Sequence, residues 1–582
     1  MSIAYRHFGE LFRYLESAPA KKDFLHHRHA GEWVDINKTD FLSLVRALTV
    51  AFHHKGWKGK QVAIAITPSS YWLVLDYALM LCGAVSVPLF TNISSRNLFF
   101  ELLDANIQTV FANSDEAAVR IEKYDTSIEI IYTENTRSGY MHLRTMIEEG
   151  RRIDKKNPTL FDQLLSRIDQ DDLATIIYTS GTSGTPKGVE LTHRNLISQI
   201  HATAENYHLD RTSDTALSVL PLAHIFERMV MHFYLSQELS VYFADDVKNV
   251  AALLKEINPT VMTAVPRLLE KVFFKMRDKA LEGNILKQIL VRFAFYRATT
   301  KAPEDTIYFL DSTLERLVYR KLKLAFGTEI SMMISGGAAL SDRLYRFYLN
   351  IGIPLYQGYG LTESSPVICA NTPKNNKTGT CGKAFPGVEV KISAEGELLA
   401  RGDNIMRGYH NDRKATAEVI DSEGWLHTGD LASIQEDGFI TISGRKKELL
   451  KTSTGEFVSA VYIEQLLLAN GWFEHALVIG DQKPFVVALL FVDPDFIGRV
   501  ADRHKHTPVS VLKSDRFRTM VQRYIEKINR KLNHWEKIRD FRFIDRTPTI
   551  ESGELTPSMK LAKEHLMQRY EALIREMYKD HL

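Results

Sequence analysis

Disulfide chemistry has little to work with in this chain: three cysteines, Cys82, Cys369 and Cys381, are spread over 582 residues. They are too few and too scattered for a disulfide framework or a zinc site, and a reducing, cytosolic setting is expected. Charge imbalance is missing too. Lys and Arg number 73 against 71 Asp and Glu, a net of +2, which argues against a nucleic-acid binder whose affinity rests on neutralising phosphates. No apolar run is long and clean enough to read as a membrane span. The nearest, YWLVLDYALMLCGAVSVPLF from Tyr71 to Phe90, is broken by Asp76, Gly83 and Pro88, and reads as a buried helix and strand. The first residues, MSIAYRHFGELFRYLE, mix charged with apolar side chains and lack the pattern of a secretory signal. No internal repeat or low-complexity tract stands out.

What is present is material for a large core. At 45% apolar content the chain exceeds the usual ceiling of about 250–300 residues for one core, so more than one domain is expected. Short β-branched runs such as QVAIAI (Gln61 to Ile66) and AVSVPLF (Ala84 to Phe90) alternate with helix-period segments such as FLSLVRALTVAFHHKG, Phe41 to Gly56. That alternation points to parallel strands covered by helices. Residues 501–582 hold 18 Lys and Arg against 12 Asp and Glu, and residues 1–500 hold 55 against 59. The C-terminal part is thus either a basic module or a set of ordinary solvated helix faces. PRLLEKVFFKMRDKALEGNILKQILVRFAFY, Pro266 to Tyr296, reads as long and helical, rich in aromatics and bases. Packing one face on a core is its default use; a partner or membrane surface is the alternative.

One stretch carries chemistry on its face. IIYTSGTSGTPKGVELTHRN, Ile176 to Asn195, gathers glycines and hydroxyls around a Pro-Lys pair after a short apolar run. Glycines let backbone N–H groups turn inward together and hydroxyls add donors, which suits phosphate oxygens. It is not a Walker A loop, because Lys187 follows Pro186 and precedes Gly188. Alone, such a turn is as well explained as a flexible connector. Further along come QGYGLTESSP (Gln357 to Pro366), GWLHTGDLASIQEDGFITISGRKKELLK (Gly424 to Lys451) and LTPSMKL (Leu555 to Leu561).

Taken together and in this order, the four stretches resemble the phosphate loop, the adenine-and-magnesium motif, the ribose and hinge motifs and the C-terminal lysine motif of the adenylate-forming superfamily. The resemblance covers essentially the whole chain. It implies an α/β fold: a large multi-subdomain adenylating domain, residues 1–443, a hinge motif at 444–451, and a small mobile α+β lid, residues 452–582. It also implies ATP or AMP contacts from Thr179, Ser180, Gly181, Thr182, Ser183, Gly184, Thr185 and Lys187 in the first motif. The turn SGGAAL supplies Gly336, Gly337 and Ala338, and the second motif Gln357, Gly358, Tyr359, Gly360 and Thr362. Asp430, Arg445 and Lys560 complete the set. Tyr359 offers a flat face for adenine, Asp430 accepts from ribose hydroxyls, and Glu363 with Thr182 is expected to hold Mg²⁺. Lys560 is the main candidate for stabilising adenylate formation and Lys187 for steadying pyrophosphate. Lys447 and Lys451 fall on the hinge and coenzyme A side.

LSVLPLAHIFERMVMHFYL, Leu217 to Leu235, and VPRLLEKVFFKM, Val265 to Met276, resemble the long-chain acyl-CoA synthetases within that superfamily. His224 is accordingly a third catalytic candidate, although a histidine on an apolar segment is more often a hydrogen-bonding core residue. The implied reaction is ATP- and Mg²⁺-dependent activation of a long-chain fatty acid followed by thioester formation with coenzyme A. An acyl carrier protein as acceptor, a free acyl-AMP product, and a non-catalytic lipid or nucleotide sensor stay open. The expected location is cytoplasmic, with peripheral contact to the membrane as an option and no nucleic-acid partner; oligomeric state and chain-length preference are not legible.

Overall fold

A computed structural model describes residues 5–134, 139–180, 186–305, 307–556 and 559–579. Its strands, among the described residues, form two large sheets and three smaller ones. The first large sheet pairs Gln61–Ala65, Val85–Pro88, Thr109–Ala112 and Glu129–Tyr132 in parallel and continues into the antiparallel pair Leu173–Ser180 and Pro186–Thr192, with the short strand Gly408–Tyr409 at its edge. The second is parallel through Ser240–Phe243, Thr215–Ser218, Val261–Ala264, Met332–Ser335 and Leu355–Gly360. Helices fill the connections, as parallel pairing requires.

The Tyr71 to Phe90 stretch resolves as read. Ser69 caps the helix Ser70–Cys82 by accepting from Trp72 N, and Gly83, at φ +79°, ends it before the strand Val85–Pro88. Its one charge is fully buried and paired. Arg228, on the buried helix Ile225–Ser236 beside the second sheet, grips Asp76 through Nε (2.9 Å) and Nη2 (2.5 Å), and its Nη1 donates to Thr175 Oγ1 (2.7 Å) on the first sheet's hairpin. Ser86 donates to the same carboxylate at 2.7 Å. This buried cluster braces the two sheets against each other. No helix among the described residues is long and apolar enough to cross a membrane.

The Pro266 to Tyr296 segment departs from the sequence reading. It is two helices, Pro266–Ala280 and Ile285–Thr300, because Gly283 turns at φ +125° and Asn284 Oδ1 accepts from Lys287 N to cap a new start.

An antiparallel sheet of four strands, Val388–Ile392, Glu397–Gly402, Leu426–Ile434 and Ile440–Arg445, leads into the C-terminal part. There, the sheet of Phe473–Ile479, Val486–Val492 and Ile538–Ile544 carries helices on its faces. The buried apolar side chains beyond residue 450 cluster among themselves, apart from the large core. Polar links join the two bodies. Arg267 Nη2 donates to Glu474 Oε1 (2.6 Å) and its Nη1 to the His475 ring (3.0 Å), and Arg343 donates to the carbonyl of Ala469 (3.1 Å). Burial first, and Arg267 second, push His475 down to about 3.

Candidate active site

Parallel pairing places the site. Met333 stands opposite Leu355 and Ser335 opposite Gln357, so the segments leaving the C-terminal ends of these strands emerge side by side, where open α/β sheets hold their ligands. One segment is Gly336, Gly337 and Ala338; the other runs through Leu361 to Thr362 and Glu363. Both face a cleft of about 4940 Å³ that extends between the two bodies of the chain. Gly336 packs tightly: a Cβ there would sit 3.0 Å from the Phe226 ring, which would have to give way by a few tenths of an ångström. The PLAHIFER segment and the small-residue turn are thereby in direct contact.

The antiparallel pair Leu426–Ile434 and Ile440–Arg445 sets Asp430 opposite Arg445. Asp430 is 3% exposed. Its Oδ1 accepts from Arg445 Nε at 3.0 Å and its Oδ2 from the Tyr359 hydroxyl at 2.5 Å. Burial raises its carboxyl above the usual range, and Arg445 and Tyr359 act against that. Gln357 is buried and turns its amide to Cys381 Sγ at 3.7 Å, while Gly358, Gly360 and Thr362 line the cleft.

On the first sheet, Thr179 pairs with Lys187 across the hairpin. Gly181, Thr182, Ser183, Gly184 and Thr185 lie outside the described residues, as does the side chain of Ser180. Lys187 Nζ rests 4.6 Å from the centre of the Tyr409 ring, and the Tyr409 hydroxyl donates to Glu363 Oε1 at 2.8 Å. Tyr409 thus ties the hairpin that carries Lys187 to the expected metal ligand. It was not among the sequence candidates, and its flanking residues, RGYHND, carry no signal that would have found it.

Lys560 comes from the C-terminal body. Thr556 N donates to the Lys560 carbonyl (2.8 Å) and Lys560 N to Thr556 Oγ1 (3.1 Å), and a bridge between Leu555 and Leu561 closes the turn. The side chain lines the cleft, where desolvation first and Arg445 second lower its ammonium from the ordinary lysine value, while Glu448 and Asp430 pull it back up. His224 is close enough to feel that charge: burial first and Lys560 second push its imidazole down to about 4. Its Nδ1 accepts from Phe226 N at 3.2 Å and caps the helix Ile225–Ser236, leaving the neutral ring's proton on Nε2. Lys447 falls in the turn Lys446–Glu448, its side chain outside the described residues; Lys451 ends the strand Leu449–Lys451, and its N–H donates to Asp481.

Met229, Val265, Leu268, Val272, Met276 and Leu290 together give part of the cleft an apolar lining, its apolar branch. Next to Met229 in the lining, Glu227 is fully buried, accepting from Ser218 (2.6 Å) and Thr263 (2.5 Å), and burial lifts its carboxyl to about 7. Sequence reasoning passed over Glu227, Arg228 and Asp76. The signal for the last two was there, since a carboxylate inside an apolar helix calls for a buried cation.

Residues 14–410 match the model of the AMP-binding enzyme family, and residues 447–582 that of the AMP-binding enzyme C-terminal domain. Long-chain-fatty-acid–CoA ligase FadD15 of Mycobacterium tuberculosis is 32% identical over 94% of this chain and 93% of its own. The peroxisomal long chain acyl-CoA synthetase 6 of Arabidopsis thaliana is 30% identical over 91% and 79%. Among solved structures, the anthranilate CoA ligase AuaEII with anthranoyl-AMP superposes with a TM-score of 0.73 at 18% identity, covering 98% of both chains. The adenylation domain of a carboxylate reductase from Mycobacterium chelonae gives 0.74 at 21%, covering 98% of this chain and 91% of that one. The solved structures carry the fold, and on the family models and the relatives the chain belongs to the AMP-binding enzymes.

Proposed function

We propose that this chain is an AMP-forming long-chain fatty acid:CoA ligase: it joins a fatty carboxylate to the α-phosphate of ATP, releasing pyrophosphate, and then passes the acyl group to coenzyme A, releasing AMP. The observation that carries this reading is Lys560, a cation borne by the C-terminal body yet lodged in the cleft beside Asp430, Arg445 and His224. The names of the relatives support the acid and the acceptor. The apolar branch supports the acid independently, since each methylene buried there contributes roughly 0.8 kcal/mol with no polar recognition.

In the first step a substrate carboxylate oxygen bonds to the α-phosphorus and the bridge to pyrophosphate breaks, the electron pair leaving with pyrophosphate. The Lys560 ammonium meets the charge that gathers on the non-bridging oxygens, and Lys187, steadied on Tyr409, meets the leaving group. Asp430 keeps lone pairs on both oxygens for ribose hydroxyls after serving Tyr359 and Arg445. His224 acts as a positioning residue, its Nε2–H turned to use while Nδ1 is committed to the helix. Glu363 fits Mg²⁺: it is a hard oxygen donor on the cleft wall, and among the described residues no cluster of three or more His, Cys, Asp or Glu forms a protein cage, which suits an ion that takes one carboxylate and completes its shell with water and phosphate. When bound, the ion supplies neutralisation across the phosphate oxygens.

In the second step a thiolate attacks the acyl carbonyl and AMP leaves. Residues 444–451 serve as the hinge between 1–443 and 452–582, withdrawing Lys560 once the adenylate has formed; the separate apolar clusters of the two bodies support that division. The protein works in the cytoplasm, in peripheral contact with the membrane that holds its substrate. The test is a panel of fatty acids scored for AMP and pyrophosphate with and without coenzyme A or acyl carrier protein. Pyrophosphate released with acid alone and thioester only with coenzyme A is the expected outcome; ADP as product overturns it.

A further inference from the structure

The helix Ile285–Thr300 and the leg that follows, Tyr308–Leu314 running on to Lys323, fold back on each other. Asp311 holds Arg297 Nε at 2.6 Å and Lys301 Nζ at 2.9 Å, and the Tyr319 hydroxyl donates to the Ala294 carbonyl at 3.0 Å. Val291, Ala294, Phe295 and Ala298 form the buried side of the first leg. Its other side is apolar as well: Ile285, Leu286, Ile289, Phe293 and Tyr296 are between 45% and 74% exposed. Positions 285, 289, 293 and 296 make one stripe at helical spacing. Phe309, 83% exposed, Leu317 and Leu324 extend it along the second leg. A patch of this continuity marks an interaction surface.

Charge identifies the partner. Residues 271–324 contain twelve Lys and Arg against six Asp and Glu. Arg292, Arg316, Arg320 and Lys321 are exposed, and none has an ion-pair partner among the described residues. A second copy of the chain would set these bases against their own kind; an anionic surface would neutralise them. Leu286, Lys287, Leu317, Lys321 and Leu324 also belong to the rim of the cleft, next to its apolar branch.

We propose that this helical hairpin docks the protein on an anionic lipid bilayer, with Ile289, Phe293 and Phe309 entering the acyl boundary and the adjacent bases meeting headgroup phosphates. The apolar branch of the cleft then opens at the membrane rather than in water. What passes through that opening rests on the fatty-acid reading above; the docking does not.

The test is co-sedimentation of the full chain with vesicles of phosphatidylcholine alone or mixed with phosphatidylglycerol. The expected result is retention on the anionic vesicles that falls as salt is raised, and little on the neutral ones. Ile289→Glu/Phe309→Glu, both outside the cleft, should lower vesicle affinity at least about tenfold while keeping the melting temperature and the AMP release from acid supplied in solution. Arg316→Glu/Arg320→Glu should weaken anionic vesicles selectively. Equal retention on both vesicles, no retention at low salt, or self-association through the same residues without vesicle binding would each overturn the proposal. If a variant does not fold, the salt titration of the unaltered protein decides. A chain that sediments as expected but releases no AMP with any acid would sink the ligase reading and leave the docking intact.

Discussion

The Tyr359 hydroxyl donates to Asp430 Oδ2 at 2.5 Å, joining the strand Leu355–Gly360 to the hairpin of Leu426–Ile434 and Ile440–Arg445. A hydrogen bond to a charged acceptor contributes about 1.5–3 kcal/mol, so Tyr359→Phe should weaken AMP binding by roughly tenfold while leaving the ring in place. Titration calorimetry with AMP checks it; unchanged affinity would separate Tyr359 from ribose positioning.

Lys560→Ala should cut adenylate formation by about 10²–10³-fold and leave thioester formation from supplied acyl-AMP largely intact. Pyrophosphate release and thioester yield, measured separately, decide it. Equal losses in both would show that the lysine serves the fold or both steps.

Glu227 gives a pH signature. Its carboxyl titrates near 7 in the folded chain against an ordinary value of about 4.3. Between those values the native state holds a proton that the unfolded state has lost. Stability assigned to this group is therefore complete at the acid end and disappears as pH rises through 7. Glu227→Gln keeps the hydrogen-bonding shape and removes the penalty. Relative to the parent it should gain about 4 kcal/mol between pH 4 and 8, reaching a plateau above; denaturant unfolding across that range reads it, and a difference independent of pH would refute it.

Arg228→Met leaves Asp76 buried without its cation and should cost about 3–5 kcal/mol; adding Asp76→Leu should recover much of it. A double variant no more stable than the single one would contradict the pairing as the source of the loss.

Gly358 and Gly360 separate by space alone. A Cβ on Gly358 meets nothing nearer than 3.6 Å, and one on Gly360 would sit 1.7 Å from the Pro366 carbonyl oxygen. Gly358→Ala should melt close to the parent, and Gly360→Ala should lose stability markedly in the same scan.

Periodicity was enough for the helix Ser70–Cys82 and its strand, and for the α/β alternation, because each is decided by residues near in sequence. The break at Gly283 and Asn284 was missed because bulk apolar and basic content hid a capping residue. Motif order singled out Asp430, Glu363 and Lys560, which line one cleft. It was silent on Tyr409, whose importance comes from Lys187 and Glu363 arriving on either side of it from distant segments, and on Glu227, whose raised carboxyl depends on burial that no local pattern announces.

The latch between Thr556 and Lys560 has a mechanical meaning. A lysine on a loose tether would find phosphate wherever its host happened to stand. Here the Lys560 backbone is tied to Thr556 by two hydrogen bonds, so under the proposed hinge motion the charge travels with the C-terminal body and reaches a substrate only when that body closes.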